Sequence, residues 1–250
     1  IHRLPPPDHM SGYDDYEFPV PKTFFDDFST RSPFVSKTWM ALKGMKGHVL
    51  NIAPLESEIE TNPKLIPPFL SEMTTKQRKA WHQAYDPRNK RYRELEKQHK
   101  LQGDERNLYV YQRFIKDYVR CIDGLDAQIG RILRFLDEEG LAENTLLLYS
   151  SDQGFFTGEH GWAEKRWMYE ESFKSPLLIR WPKVIEPGSV IDDLVQNIDL
   201  APTFIRAAGM DVPKSLHGRP LQPLFSKAGP KEWREEILYQ YFDGGNQQKP

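Results

Sequence analysis

Leu146-Leu147-Leu148-Tyr149, followed at once by Ser150-Ser151-Asp152-Gln153-Gly154, is the stretch on which the fold turns. Four consecutive apolar residues show no alternation, so they predict a short strand buried on both faces of a largely parallel sheet. Upstream, Phe114, Tyr118, Ile122, Leu125, Ile129, Leu133 and Leu136 recur in steps of three and four. That spacing predicts a helix from Leu108 to Glu139, about 48 Å long, with Gly140 placed to end it in a left-handed cap. Downstream, Leu177-Leu178-Ile179-Arg180-Trp181 predicts a second buried strand stopped by Pro182, and Asp199 to Ala208 a helix ended by Gly209. Helix, strand, strand, helix is the order of an α/β fold.

Farther out the pattern loosens. Residues 1–35 carry six prolines and many aspartates, too often interrupted for regular elements, and read as a long ordered loop. Val35 to Met45 has the spacing of a short amphipathic helix. Thr74-Thr75 is a helix start, with Trp81 and Tyr85 four apart on one face. Beyond Pro213 the chain becomes loop-rich, and Glu236 to Phe242 is a candidate strand. With no internal repeat, one main domain is the economical reading.

Composition narrows the class. With 250 residues, 28% of them charged and 38% hydrophobic, the chain is globular rather than largely disordered. A formal net charge of -2 gives no reason to expect nucleic acid or an anionic membrane as a partner. Cys121 is the only cysteine, which excludes an intrachain disulfide and a multi-cysteine metal site within these residues. No apolar stretch reaches the roughly 20 residues that span a bilayer. The opening, Ile1-His2-Arg3-Leu4-Pro5, is neither a signal peptide nor an initiator methionine, so the sequence is read as a fragment.

The turn after the first strand carries the candidate chemistry. Ligands of open α/β sheets bind beyond the carboxyl ends of strands, where Asp152 and Gln153 fall. A carboxylate beside an amide carbonyl offers hard oxygen ligands suited to calcium, provided that further carboxylates join them; the alternative is a turn-capping Asp152 and a surface Gln153. Next comes Gly154-Phe155-Phe156-Thr157-Gly158-Glu159-His160-Gly161-Trp162-Ala163-Glu164-Lys165. A lysine there could neutralise an oxyanion and hydrogen-bond a leaving oxygen. The alternative is that Lys165 and Arg166 are solvated and His160 is a structural, hydrogen-bonded histidine.

Tyr149-Ser150-Ser151-Asp152-Gln153-Gly154, Gly158-Glu159-His160-Gly161, Lys165-Arg166-Trp167-Met168-Tyr169-Glu170-Glu171-Ser172 and Pro176-Leu177-Leu178-Ile179-Arg180-Trp181-Pro182 together resemble the C-terminal signature of formylglycine-dependent sulfatases. Asn197-Ile198-Asp199-Leu200-Ala201-Pro202-Thr203 and Gly218-Arg219-Pro220-Leu221 are similar to that family's later helix and loop. Tyr111 to Cys121, Phe24-Phe25-Asp26-Asp27 and Trp81 to Pro87 look closest to its bacterial N-acetylglucosamine-6-sulfatase-like branch. The resemblance implies an alkaline-phosphatase-like α/β fold, a mixed, largely parallel sheet flanked by helices. Residues 1–212 would be the C-terminal part of the α/β domain, and 213–250 the start of a loop-rich C-terminal subdomain.

By the same resemblance Asp152 and Gln153 bind calcium, for which magnesium is an acceptable substitute, Lys165 contacts the sulfate, and His2 assists the leaving group. His160 and Arg166 are expected to bind substrate. The implied substrate is a sulfated carbohydrate such as 6-sulfated N-acetylglucosamine, and the implied location is periplasmic or extracellular. The family's nucleophile, a formylglycine made from a Cys-X-Pro-Ser-Arg segment, has no match: Cys121 sits in Arg120-Cys121-Ile122-Asp123-Gly124, inside the predicted helix, and is expected to serve packing. The nucleophile is therefore expected in a missing N-terminal part, and these residues alone are expected to be inactive. Two rivals stand beside this expectation: another alkaline-phosphatase-like phosphoester or phosphonate ester hydrolase, and a non-catalytic glycan-binding relative.

Overall fold

A capping box starts the first long helix. Thr74 Oγ1 accepts from the Gln77 amide at 3.3 Å while Gln77 Oε1 accepts from the Thr74 amide at 3.0 Å, satisfying two of the donors that every helix start leaves orphaned. The structure, a computed structural model, describes residues 4–45, 50–226, 229–230 and 232–240. Its helices are α1 (Glu56–Thr61), α2 (Pro68–Ser71), α3 (Thr75–Lys97), α4 (Gly103–Glu138), α5 (Glu170–Phe173) and α6 (Leu200–Ala207). Its strands are β1 (Leu147–Ser150), β2 (Phe156–Thr157), β3 (Ala163–Glu164) and β4 (Leu177–Arg180). The chain forms two compact units, Ile1–Arg134 with Gly154–Lys174, and Phe135–Gln153 with Ser175–Pro250.

In the first unit α3 and α4 supply the scaffold. Trp81 and Tyr85 are both fully buried on one face of α3, as their spacing predicts, and stack at 4.9 Å. The apolar stripe of α4 is buried at Val110, Phe114 and Ile115, which pack with Phe24, Leu42, Met45 and Leu50. Farther along, Ile122, Leu125 and Ile132 stay exposed. Cys121 is half-buried within α4. The 4–34 stretch is an ordered loop with a single 3-10 turn at Pro7–His9. Its Tyr111 anchor is explicit: the phenol donates to the Pro19 carbonyl at 2.7 Å.

The expected helix over Val35–Met45 is instead two 3-10 turns, Val35–Lys37 and Leu42–Gly44. Thr38 and Ala41 are extended between them, and that break lets Met40 and Leu42 both enter the core.

The second unit holds β1 and β4, which pair antiparallel with Leu147 opposite Arg180 and Ser150 opposite Leu177. The mixed α/β character stands, but two details of the expectation are corrected. Both strand pairs among the described residues are antiparallel, and β1 and β4 are half-buried rather than covered on both faces, Leu178 being 66% exposed. A continuous apolar run does not encode the direction of its partner, so the parallel order was a property of the average sheet rather than of these residues. Residues 236–240 form no strand, and Phe242 lies outside the described residues. No helix among the described residues is long and apolar enough to cross a membrane.

Asp199 is the hub of this unit. It is fully buried, accepts from the amides of Gln196 and Arg219 at 2.8 and 2.7 Å, and pairs with the Arg234 guanidinium. Burial alone would raise its pKa, yet the bonds from Arg234, Arg219 and Gln196 hold the carboxyl below the usual range.

Candidate active site

The Gly158-to-Tyr169 segment is built as a tight loop on a short antiparallel ribbon. Phe156 pairs with Glu164 and Thr157 with Ala163, so the residues between them must reverse direction in one turn. Gly158 takes φ +126°, and a Cβ there would meet the Tyr111 ring at 2.5 Å. Glycine alone satisfies both demands. Glu159 closes the turn by accepting from the Thr157 amide at 2.7 Å.

His160, in the middle of this turn, has φ 56° and ψ 20°. A non-glycine residue in the left-handed region costs on the order of 1 kcal/mol and persists only where the surroundings hold it. Here they do. His160 is buried, its amide donates to Thr23 Oγ1 at 3.2 Å, and its ring packs against Tyr169 at 5.0 Å and Trp162 at 5.4 Å. Its Nδ1 lies 2.6 Å from Asp26 Oδ2. Asp26 also accepts from the Phe28 amide at 2.9 Å and pairs with Arg31.

Burial works to raise the Asp26 pKa, but the bonds from Phe28, Arg31 and His160 outweigh it and bring it to about 2. An ionised carboxylate only accepts, so Nδ1 carries the ring proton and Nε2 is left as the second functional atom. No hydrogen-bond partner holds Nε2 among the described residues. His160 and Asp26 line a cavity of about 280 Å³ whose walls include Phe24, Phe28 and Trp162. Its size and aromatic walls suit a small ligand with apolar faces.

Lys165 and Arg166 follow directly. They are half-buried and sit between Glu164 and Trp167, both with positive φ (85° and 53°). The Arg166 guanidinium lies 5.9 Å from the Trp39 ring centroid, and Trp167 donates to Thr38 Oγ1 at 3.4 Å. Neither cation has a carboxylate partner among the described residues. Positive φ at Glu164 and Trp167 fixes the path of the chain that carries Lys165 and Arg166.

Asp152 and Gln153 belong to the second unit, at the carboxyl end of β1. Asn197 clamps this turn, its Nδ2 donating to the carbonyls of Ser151 and Asp152 at 3.2 and 3.0 Å. Ser150 Oγ donates to the Pro176 carbonyl at 2.8 Å, fixing the strand end. The Asp152 carboxylate is exposed and receives only Ser151 Oγ at 3.3 Å. Two oxygen donors on a fixed turn are the right chemistry for a hard cation, but no set of three or more His, Cys, Asp or Glu groups able to hold a metal exists among the described residues. The pair fits such an ion as part of a larger ligand set.

Of the residues chosen from sequence, His160 lines the cavity, Lys165 and Arg166 sit beside it in the chain on the same unit, and His2 lies outside the described residues. Asp26, Arg31 and Asn197 are the partners that sequence reasoning did not select as site residues.

The C-terminal family of N-sulphoglucosamine sulphohydrolase matches residues 158–249. An N-acetylglucosamine-6-O-sulfatase of Bacteroides thetaiotaomicron is 33% identical over 96% of this chain and 43% of its own length. The human N-acetylglucosamine-6-sulfatase is 30% identical over 65% of this chain and 31% of its own. A solved structure in complex with its substrate, D-glucosamine-2-N,6-O-disulfate, superposes with a TM-score of 0.89 at 32% identity, covering 98% of this chain and 50% of that one. The chain belongs to the sulfatase family, and it spans half or less of the length of these relatives.

Proposed function

We propose that the protein carrying this chain is a sulfuric ester hydrolase that removes sulfate from a sulfated glucosamine, with 6-sulfated N-acetylglucosamine as the leading substrate. The observation that carries this reading is Lys165, without a carboxylate partner among the described residues, held between Glu164 and Trp167 at positive φ and five positions after the buried His160. Its ammonium supplies a fixed positive charge for an ester that is a permanent anion, and preorganised charge of this kind stabilises a transition state more than it does in water. Arg166, its neighbour, would orient the same group. His160, with its proton fixed on Nδ1 by Asp26, lines a cavity of about 280 Å³, room for a pyranose ring, and would bind a sugar hydroxyl there.

Asp152 and Gln153 would hold calcium, for which magnesium is a chemically acceptable replacement, together with carboxylates from outside these residues. That ion would act as a Lewis acid on the sulfate oxygens. Cys121 lies within α4 and matches no formylglycine segment, so the formylglycine nucleophile would come from outside these 250 residues. His2 would donate the proton to the departing sugar oxygen. Residues 213–250 would open the C-terminal subdomain, and a periplasmic or extracellular location would bring the enzyme to its glycan.

A second reading has one specific support: a multifunctional alkaline phosphatase superfamily protein of Trinickia caryophylli is 31% identical over 50% of this chain. The deciding experiment assays the full-length protein against glucosamine 6-sulfate, phosphodiesters and phosphonate monoesters. Sulfate release is expected to dominate by kcat/KM. A preference for phosphonate or phosphate esters would overturn the proposal.

A further inference from the structure

Between α3 and α4 lies a second cavity, of about 310 Å³, that none of Asp152, Gln153, His160, Lys165 or Arg166 lines. Five cationic side chains surround it, Arg88, Arg91, Arg113, Lys116 and Arg120, against two carboxylates, Asp14 and Asp117. The imbalance is sharpest at Arg113. It is buried, and its guanidinium donates only to neutral acceptors: the carbonyls of Leu50 at 2.7 Å, Arg88 at 3.2 Å and Asn51 at 3.3 Å, and the Asn89 amide oxygen.

Arg120 uses Asp117 at 2.7 Å and Asp14 at 2.6 Å. Arg88 shares Asp14, at 2.8 Å, but its Nη1 is buried with no hydrogen-bond partner among the described residues. Among the described residues Lys116 hydrogen-bonds the Asp14 carbonyl alone, at 2.9 Å. Its pKa is lowered by burial and further by Arg120 and Arg88, against the opposing pull of Asp14.

Asp117 is the charge that most favours the Arg113 cation, yet among the described residues no carboxylate hydrogen-bonds to it. A buried guanidinium so held is costly, and the buried Arg88 donor without an acceptor adds to that cost. Both would be relieved by one anion with several acceptor oxygens. Arginine forks match such an anion better than any neutral ligand. The remaining walls are Gln112 and the rings of Tyr85, Pro87 and Tyr109, apolar faces of the kind on which a sugar ring rests. We infer that this cavity between α3 and α4 binds a sulfate group, carried by an acidic saccharide, on Arg88, Arg91 and Lys116. The saccharide as carrier rests on the sulfatase reading; the oxyanion site itself does not.

The test uses the full-length protein bearing Lys165→Ala, so that sulfate held by Lys165 does not contribute. Isothermal titration with sodium sulfate, against sodium chloride at equal ionic strength, is expected to show one-to-one binding. Adding Arg88→Gln or Lys116→Gln should weaken it by about tenfold, the loss of one charge-assisted bond. Arg91→Gln, on the exposed rim, keeps the buried contacts and should weaken it severalfold, which covers the case of a core variant that does not fold. Glucosamine 6-sulfate binding more tightly than free sulfate, with the same sensitivity to these variants, supports the saccharide as carrier. Absence of sulfate binding in the Lys165→Ala protein, or binding that none of the three variants weakens, would overturn the inference without touching the role of Lys165. Unchanged catalysis by Lys165→Ala would sink the proposed function and leave this site standing.

Discussion

His160 Nδ1 stands 2.6 Å from Asp26 Oδ2, so a histidine in a strained turn is steered by a carboxylate that lies 134 residues earlier in the chain. Replacing Asp26 with Asn keeps the shape and removes the charge. The His160 ring then loses a partner that can only accept, because an amide offers Nδ1 a donor as well as an acceptor, and the charge that fixed its proton on Nδ1 is gone. A charge-assisted hydrogen bond contributes about 1.5–3 kcal/mol, so kcat/KM on glucosamine 6-sulfate should fall about 10- to 100-fold. His160→Gln should fall by a similar factor, and the double variant should be no worse than the weaker single one. Steady-state kinetics on the full-length protein, with melting curves to confirm folding, checks both expectations.

The same carboxylate makes an acid-stability prediction. Asp26 has its folded pKa lowered from 3.8 to about 2. On acidification the unfolded chain therefore takes up its proton first, which favours unfolding. The contribution of Asp26 is present in full above about pH 4 and is lost as pH falls toward about 2. Asp199, also lowered, acts in the same direction. Melting temperature measured from pH 6 to pH 2 should fall less steeply in Asp26→Asn than in the wild type. Identical slopes would show that Asp26 is not held ionised by its neighbours.

Much of this was legible in the sequence, and the reason differs by element. Helices α3 and α4 announced themselves because their periodicity and capping are local. The turn from Gly158 to Gly161 was visible as a glycine cluster around a histidine. Asp26 was not visible as a partner for His160, because a contact across 134 residues leaves no periodic trace and Asp26 sits in a stretch already rich in aspartate. Strand direction was misjudged for a related reason. The β1 and β4 runs report burial, and pairing direction is set by the chain between them, where Gly154–Lys174 belongs to the other unit.

Metal dependence should track Asp152. Calcium added to the apo full-length protein should raise its melting temperature, since a ligand bound only by the folded state at 100 times its Kd stabilises by about 2.7 kcal/mol. Asp152→Ala should lose most of that rise, and Asn197→Ala part of it, because Asn197 Nδ2 fixes the carbonyls of Ser151 and Asp152. Chelation should abolish activity and calcium should restore it. A calcium shift untouched by Asp152→Ala would remove this residue from the ligand set.

Lys165 and Arg166 should separate in kinetics. Removing a preorganised charge that faces the reacting group costs about 10²–10³ in kcat, and that is the expectation for Lys165→Ala. Arg166 also lies beside the Trp39 ring at 5.9 Å, so Arg166→Ala should act mainly through KM. Equal kcat for wild type and Lys165→Ala would be incompatible with the proposed role.

Gly218 offers the sharpest stability test. A Cβ there would stand 1.9 Å from the Ile198 carbonyl oxygen and 2.9 Å from the Asp199 amide nitrogen. Both are backbone atoms, so relief requires the turn at Asn197–Asp199 to move. That turn carries Asp199, whose buried carboxylate receives the Gln196 and Arg219 amides and pairs with Arg234. Displacing it leaves an ion and its partners unmatched in the interior, a change that costs about 3–5 kcal/mol when a buried pair is broken. Gly218→Ala should therefore lose more than 3 kcal/mol in urea titrations, among the most severe single substitutions. Gly188→Ala, where φ is +76° and the space is open, should lose only about 1 kcal/mol from backbone strain. Gly44→Ala, with open space around it, should be close to neutral. If Gly218→Ala proved no worse than Gly188→Ala, close approach at Ile198 would not be what requires glycine, and Asp199 would lose its claim to organise this unit.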